Sequence, residues 1–355
     1  MNQCGNNWQQ KSMKKAFLLF ALLCVSTLFF AQTTTQTAML KHGNNIIAYY
    51  GLDAFIEANA VAQDGDIITL SSGTFSPTTI TKAITLRGAG CVSDAELMTF
   101  PTTITGQVYA SIPDVENTLT IEGVYFETGF AVPENGSLLS PTFIRCNFGS
   151  VSGGYESIMD HALFINCRIK SFFSMHIENT TFNNCVIWES YRQSGYGSGG
   201  DVWPVINLYN SFIVMVGTHE NLFAYNSIIS SGGTHVNNYS QQDAHSMAYN
   251  CIGILNEESI FECPNFNCWD YNNYSAVFES FNGEDYDWTT EPLILKGNIA
   301  AQCLGDDGTQ VGIYGGTMPY NARPTYMTPY RSTVDHQSTP DGKLKVHIEV
   351  INEGK

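Results

Sequence analysis

The sequence predicts an all-β fold: a right-handed parallel β-helix, or solenoid, with a short N-terminal capping helix. The first observation is a phrase that recurs about every 20 residues, in which an apolar residue and a spacer are followed by Asn, in most copies, and then Cys or Ser. Repeats of this length are typical of solenoids, whose units bury their apolar side only against neighbouring units. The second observation is that no helical pattern separates the repeats, which argues against alternating strands and helices. The phrase occupies residues 143–146, 164–167, 182–185, 208–211, 224–227 and 247–251.

Each repeat predicts two short strands that meet at a sharp corner. Residues alternate in character on both sides of the Asn, so the Phe, the Cys and the following Ile are expected to point inward. Asn tolerates the left-handed conformation that such a corner needs, and stacked amides can form a hydrogen-bonded ladder. The predicted corner residues are Asn166, Asn184, Asn210, Asn226 and Asn250.

The N-terminal part fits the same fold. Residues 52–61 carry apolar side chains at helical spacing, and this helix would cover the open end of the solenoid, where a bare edge invites aggregation. Strand–turn units are predicted next, at residues 66–70, 73–75 and 83–88.

The same segment carries a family resemblance. An amphipathic helix followed by Gly65-Asp66, by Gly73-Thr-Phe75 and by Ile84-Thr-Leu-Arg-Gly88 is similar to the opening coils of the pectate-lyase-like β-helix superfamily. Residues 306–316 resemble the closing segment of secreted bacterial members. The resemblance implies a β-helix over most of residues 44–320 but leaves the function open, because the superfamily includes lyases, hydrolases and adhesins.

The chain is predicted to be exported. Residues 1–31 are predicted to be a signal peptide, because a basic start at Met13 precedes an apolar run that is too short to span a membrane. Residues 1–12 carry nothing typical of a leader. The β-helix domain is predicted over residues 32–320, and residues 321–355 form a Pro-rich extension that ends in a strand at 343–350. The expected location is secreted, cell surface or periplasm, with no transmembrane segment after signal removal.

The net charge of the chain limits the classes of partner that it can bind. The formal net charge is −17, and the leader carries only basic charges, so the mature chain is more acidic still. Nucleic acids and anionic membrane surfaces require basic patches, so this charge argues against both. The expected partner is a polysaccharide or glycoconjugate, and the charge accommodates a neutral one more easily than a polyuronate or a sulfated glycan. No cofactor is evident, although Ca²⁺ could bind Glu284, Asp285 and Asp287 in an acidic loop that lacks the EF-hand order. The metal ligands and the oligomeric state stay undetermined.

The positions of the cysteines predict a possible disulfide for one pair and buried packing for the cysteines of the repeat. Cys263 and Cys268 flank a short loop and are the best candidates for a disulfide. The others in the repeat share one phase and predict a buried stack of small side chains. These are Cys146, Cys167, Cys185 and Cys251.

One column of the repeat predicts candidate catalytic groups. Aligning the repeats on their Asn stacks Asp160 on Glu178 about 5 Å apart, with His161 beside them. That spacing resembles the carboxylate separation of retaining glycosidases, about 5–5.5 Å. The alternative interpretation is an exposed polar corner. Arg168 and Lys170 are interpreted as solvated outward residues, because the remaining motif elements of polygalacturonases and pectate lyases are absent from the sequence.

Two longer repeats predict a ligand-binding surface. Residues 188–203 and 231–244 are rich in small, polar and aromatic residues, and loops that project from a rigid solenoid often carry function. Aromatic faces beside amides suit sugar rings, and the alternative is local packing against the coil. The candidate substrate-binding residues are Trp188, Tyr191, Tyr196, Trp203, His235 and Tyr239.

Three functions stay open at this point. The first expectation is a secreted or cell-surface protein that recognises glycans without catalysis. The alternatives are a polysaccharide-degrading enzyme, either a glycoside hydrolase or a lyase, and a purely structural or adhesive solenoid.

Overall fold

The structure is a parallel β-helix, as predicted. It is a computed structural model, and its described residues belong to the compact unit Gln36–Lys355. Nearly all strands pair in parallel with the strand one coil away, so most coils add one strand to each long sheet. The described residues are 36–93, 100–173, 177–191, 205–216, 221–231, 236–237, 246–255, 260–284, 286–323, 328–334 and 346–351.

Sheet 1 has 12 strands and is parallel except at its N-terminal edge, where the first strand pairs antiparallel with both neighbours. In spatial order its strands are β2 (Asn45–Tyr50), β1 (Thr37–His42), β3 (Ile67–Leu70), β6 (Thr85–Arg87), β9 (Thr120–Glu122), β13 (Thr142–Ile144), β16 (Leu163–Ile165), β19 (Thr180–Asn183), β21 (Ile206–Tyr209), β23 (Leu222–Tyr225), β26 (Met247–Tyr249) and β29 (Asn265–Phe266).

Sheet 2 has 13 strands and follows sheet 1 in each coil. In chain order its strands are β4 (Gly73–Phe75), β5 (Thr79–Ile80), β7 (Thr102–Ile104), β8 (Gln107–Ala110), β10 (Val124–Phe126), β11 (Gly129–Val132), β14 (Asn147–Gly153), β17 (Arg168–Phe173), β20 (Val186–Tyr191), β22 (Phe212–Met215), β24 (Ile228–Ser231), β27 (Ile252–Ile254) and β30 (Trp269–Tyr271).

Sheet 3 is short, and the remaining strands form two separate pairs. Sheet 3 contains β12 (Ser137–Leu139), β15 (Ile158–Asp160) and β18 (Ile177–Glu178). β25 (Val236–Asn237) pairs in parallel with β28 (Phe261–Glu262). In the C-terminal extension, the predicted strand is β32 (Val346–Ile351), which pairs antiparallel with β31 (Thr328–Val334).

Three helices complete the described fold: α1 (Ala54–Val61), α2 (Tyr274–Val277) and α3 (Gly297–Gln302). The predicted capping helix is α1, which lies against β1, β2 and β3. It buries Ala54, Phe55 and Ala58 at the N-terminal end of the interior. No helix among the described residues is both long and apolar enough to span a membrane.

The predicted corners between sheets 1 and 2 are confirmed. Asn166, Asn184, Asn210, Asn226 and Asn250 all adopt positive φ angles between 48° and 54°. A second series of left-handed corners, which the sequence did not predict, leads into sheet 1. Its members are Ser140, His161, Asn179 and Asn221.

The interior is a column of stacked side chains, as expected for a solenoid. Phe143, Phe164 and Phe182 stack on consecutive coils with centroid distances of 4.7 and 4.9 Å, and all three are fully buried. Phe126 stacks on Phe148 at 5.0 Å. Each apolar ring is therefore covered by the coils on either side of it.

The predicted cysteine stack is confirmed, whereas the predicted disulfide is wrong. Every member of the stack is fully buried, and burial raises the pKa of Cys146, Cys167 and Cys251. Cys263 and Cys268 are both free thiols. The reason is that Cys268 continues the stack, where a hydrogen bond from Cys251 lowers its pKa.

A second apolar core lies outside the coil. The C-terminal cover, defined here as residues 274–284 and 286–320, packs on the outer face of sheet 2. Coil residues Trp188, Phe212 and Ile252 meet cover residues Phe281 and Leu295 in this layer. The cover therefore shields from solvent a sheet face that the alternation alone would leave exposed.

Arg168 corrects the expectation of a solvated outward residue. It does point out of the coil, but the cover lies on top of it and leaves only 1% of the residue exposed. Its guanidinium donates to the Tyr320 hydroxyl and lies 4.8 Å from the centre of that ring. Burial raises the pKa of Tyr320, so its hydroxyl stays protonated while it accepts from Arg168.

Candidate functional site

The predicted acidic column exists as an arrangement of neighbours. Parallel pairing of β15 with β18 places Asp160 directly opposite Glu178. Asp160 Oδ1 accepts a hydrogen bond from Asn179 Nδ2 at 2.8 Å, and its Oδ2 lies 2.8 Å from His161 Nδ1. Both Asp160 oxygens thus have partners in a partly exposed polar network. A catalytic role for Asp160, Glu178 and His161 stays a prediction.

The predicted aromatic loop site needs a correction at Trp188. Its side chain is buried beneath the C-terminal cover, where it stacks on Tyr286 at 4.3 Å and donates from Nε1 to the Trp288 carbonyl at 2.8 Å. The expectation that Trp188 offers a face to a sugar is wrong, because the cover occupies that face. The ring belongs to the second core.

Of the other loop candidates, the structure describes only Tyr191. Tyr191 stacks on Phe173 at 5.1 Å, and its hydroxyl donates to Glu189 Oε2 at 3.0 Å. Both of these contacts lie within sheet 2. The remaining candidates lie outside the described residues. They are Tyr196, Trp203, His235 and Tyr239.

The structure reveals a different aromatic surface, on the outer face of sheet 1. Tyr209, Tyr225, Tyr249 and Phe266 occupy equivalent positions on four consecutive strands. Their rings are nearly parallel, with interplanar angles of 7°, 2° and 13°, and successive centroids lie 5.2, 5.4 and 4.8 Å apart. We call this set the tyrosine ladder. Its two end members are the most open, with Tyr209 38% and Phe266 51% exposed.

The ladder combines apolar area with hydrogen-bonding groups. Offset stacking leaves ring edges and phenolic hydroxyls along the surface. Partial burial, followed by the neighbouring tyrosines, raises the pKa of Tyr225. The Tyr225 hydroxyl is therefore neutral at physiological pH and can both donate and accept a hydrogen bond.

A cleft of about 390 Å³ adjoins the ladder at the corner between sheets 1 and 2. The chain links the two features directly, because Tyr249 precedes Asn250 and Phe266 precedes Asn267. We call it the corner cleft. Its lining residues are Asn250, Asn267, Cys268, Trp269, Gln302, Leu304, Gly305 and Asp306.

A short amide ladder and the C-terminal cover shape this cleft. Asn250 Nδ2 donates to Asn226 Oδ1 at 3.2 Å, and Asn267 Nδ2 donates to Asn250 Oδ1 at 3.4 Å. Asn226 Nδ2 in turn donates to Asp306 Oδ1 at 2.8 Å. The predicted amide ladder is thus real on these coils, and it joins the coil to the cover. Gln302, at the end of α3, supplies another amide to the wall.

The acidic loop proposed for Ca²⁺ uses one of its carboxylates internally. Asp287 accepts from the Thr289 amide and hydroxyl and from the Thr290 hydroxyl, and these bonds lower the pKa of Asp287. Asp285 lies outside the described residues. Within the described ranges, no group of three or more His, Cys, Asp or Glu side chains is arranged to hold a metal ion.

No family model matches the chain, and no curated protein matches it. The fold and the site together define a parallel β-helix protein with a tyrosine ladder on one outer face and an amide-rich cleft beside it.

Proposed function

We propose that this protein recognises glycans without catalysis, as an exported or cell-surface β-helix, and that the tyrosine ladder and the corner cleft bind the glycan. The observation that carries the proposal is the ladder itself, in which four aromatic side chains line one open sheet face in register. Sugars combine apolar C–H groups with hydroxyl groups, and the exposed ring edges and phenolic hydroxyls of the ladder, next to amides, match both.

The cleft supports the same interpretation. Asn250, Asn267 and Gln302 offer amide donors and acceptors, and half-buried Trp269 offers aromatic surface. Concave sites with an aromatic wall and a few polar groups are the usual form of small-ligand sites. A structural solenoid does not require such a cleft beside an open aromatic strip.

A polysaccharide-degrading enzyme is the second candidate. The observation that favours it is the pairing of Asp160 opposite Glu178 on adjacent strands, with His161 in contact. The two candidates use different faces, because the acidic pair lies on sheet 3 and the ladder lies on sheet 1. Assays for new reducing ends and for unsaturated products therefore accompany every binding test.

Tyr225→Ala is expected to weaken glycan binding about tenfold, because it removes the ring that connects Tyr209 with Tyr249. Affinity electrophoresis against a panel of neutral and acidic polysaccharides measures the change. Tyr225→Phe, which keeps the ring, should retain most of the affinity.

Tyr109→Ala is the matched control, since Tyr109 is an outward, 41% exposed tyrosine on β8 of sheet 2. It should leave binding unchanged. Equal retardation of wild type and Tyr225→Ala, or no retardation of the wild type by any glycan, would contradict the proposed function. Product formation would instead favour the enzyme.

A further inference from the structure

The charges around the corner cleft select among glycans. Asp306 is exposed at the cleft, and one of its carboxylate oxygens is already bonded to Asn226. Asp307 follows it, and hydrogen bonds from the backbone and side chain of Thr309 lower the pKa of Asp307, so that it stays ionised. Among the residues that the structure describes, none of those that line the cleft is Lys, Arg or His. A uronate or a sulfated sugar would therefore meet negative charge without compensation.

The same residues suit a cation. A carboxylate pairs with an ammonium group, and an indole face attracts a cation that lies within about 6 Å of the ring. Asp306 and Trp269 both line this one cleft. Asn250, Asn267 and Gln302 remain to hydrogen-bond the hydroxyls of the same sugar.

The ladder adds a constraint on the shape of the ligand. Its rings repeat every 4.8–5.4 Å along the solenoid. That step is close to the length of one pyranose unit in an extended β-linked chain, so successive sugars can meet successive rings. Because Phe266 adjoins Asn267, a chain that lies along the ladder reaches the cleft at its last rung.

We infer that the ligand is an extended, β-linked polysaccharide whose sugars carry free amino groups, and that the corner cleft takes one protonated amino sugar between Asp306 and Trp269. The inference rests on the proposed function, because it assigns the ligand class of that same site. The ladder binds the extended polysaccharide along its length, and the cleft binds the charged amino group of one sugar.

The test compares three tetrasaccharides of the same β-1,4 linkage, built from glucose, N-acetylglucosamine and glucosamine. Calorimetric titration at mildly acidic pH should show the glucosamine tetramer binding about tenfold more tightly than the other two. Raising the pH above the pKa of the sugar amine removes its positive charge, so the advantage should disappear. Binding of the glucose tetramer should not change over that range.

Asp306→Asn should abolish the preference for the amine and keep residual binding, since Asn retains the oxygen that accepts from Asn226. Glu57→Gln is the matched control, because it makes the same change in charge on the exposed surface of α1. Thermal unfolding of both variants checks that they are folded. Gln302→Ala, on the cleft wall, should weaken the binding of all three tetramers.

The outcomes of these experiments distinguish the preference for amino sugars from glycan recognition itself. Equal affinities for the three tetramers, or tighter binding of the acetylated one, would overturn the amine assignment and leave glycan recognition standing. An amine preference that survives in Asp306→Asn would also overturn it. Failure of all three tetramers to bind, together with failure of the polysaccharide panel, would overturn both.

Discussion

Arg168→Ala is expected to lower the free energy of unfolding by about 4 kcal/mol and to release the C-terminal cover from sheet 2. The guanidinium donates to the Tyr320 hydroxyl at 2.9 Å, to the Trp288 carbonyl at 3.4 Å and to the Glu291 carbonyl at 2.6 Å. Alanine would leave these partly buried acceptors without that donor. Each such loss costs about 1–3 kcal/mol.

Urea denaturation measures the loss, and hydrogen exchange of residues 286–320 shows where the structure opens. Lys170→Ala is the matched control, because Lys170 lies two residues further along β17 and is exposed. It should change stability by less than about 0.5 kcal/mol. Unchanged exchange in Arg168→Ala would show that the cover is held without this residue.

Phe164→Ala is expected to cost a similar amount, about 4 kcal/mol, through the interior of the coil. Phe164 stacks between Phe143 and Phe182 at 4.7 and 4.9 Å and is fully buried. Alanine removes both stacking contacts, together with the edge-on contact to Phe148 at 6.0 Å, and leaves a cavity. The coils above and below are held apart by their own backbone pairing, so the cavity cannot collapse fully.

Thermal and urea unfolding of Phe164→Ala and Phe164→Leu give the comparison. The leucine variant keeps most of the volume and should cost less than half as much. If Phe164→Ala were no less stable than Phe164→Leu, the stacked interior would not be what holds neighbouring coils together.

The architecture could be predicted because its determinants are local. Each corner needs one residue with a positive φ. Asn166, Asn184 and Asn250 mark such corners in the sequence, next to the strands that they join. The alternation of residues along each strand then predicts which side chains face inward. Packing between coils follows from repetition alone.

The C-terminal cover could not be predicted in this way. Arg168 and Tyr320 lie 152 positions apart, and Trp188 and Trp288 lie 100 apart. The alternation within a strand states that Arg168 and Trp188 point out of the coil. It does not state what later packs on that face, so both residues were expected at the surface.

The tyrosine ladder could have been predicted from the sequence. Tyr209, Tyr225 and Tyr249 each precede a corner Asn and follow an inward residue, so period two already places them outside and in register. The corner cleft was not within reach, because α3 and Asp306 must first fold back against Asn226.

The central claim is that a glycan lies on the tyrosine ladder, and hydroxyl-radical footprinting with and without the best-binding glycan tests it most directly. Bound glycan should protect Tyr209, Tyr225, Tyr249 and Phe266 from oxidation, together with Trp269 in the cleft. Tyr109 on sheet 2 should be oxidised equally in both samples. Bound glycan that leaves the ladder unprotected and shields residues around Asp160 and Glu178 would contradict the account and place the site on sheet 3.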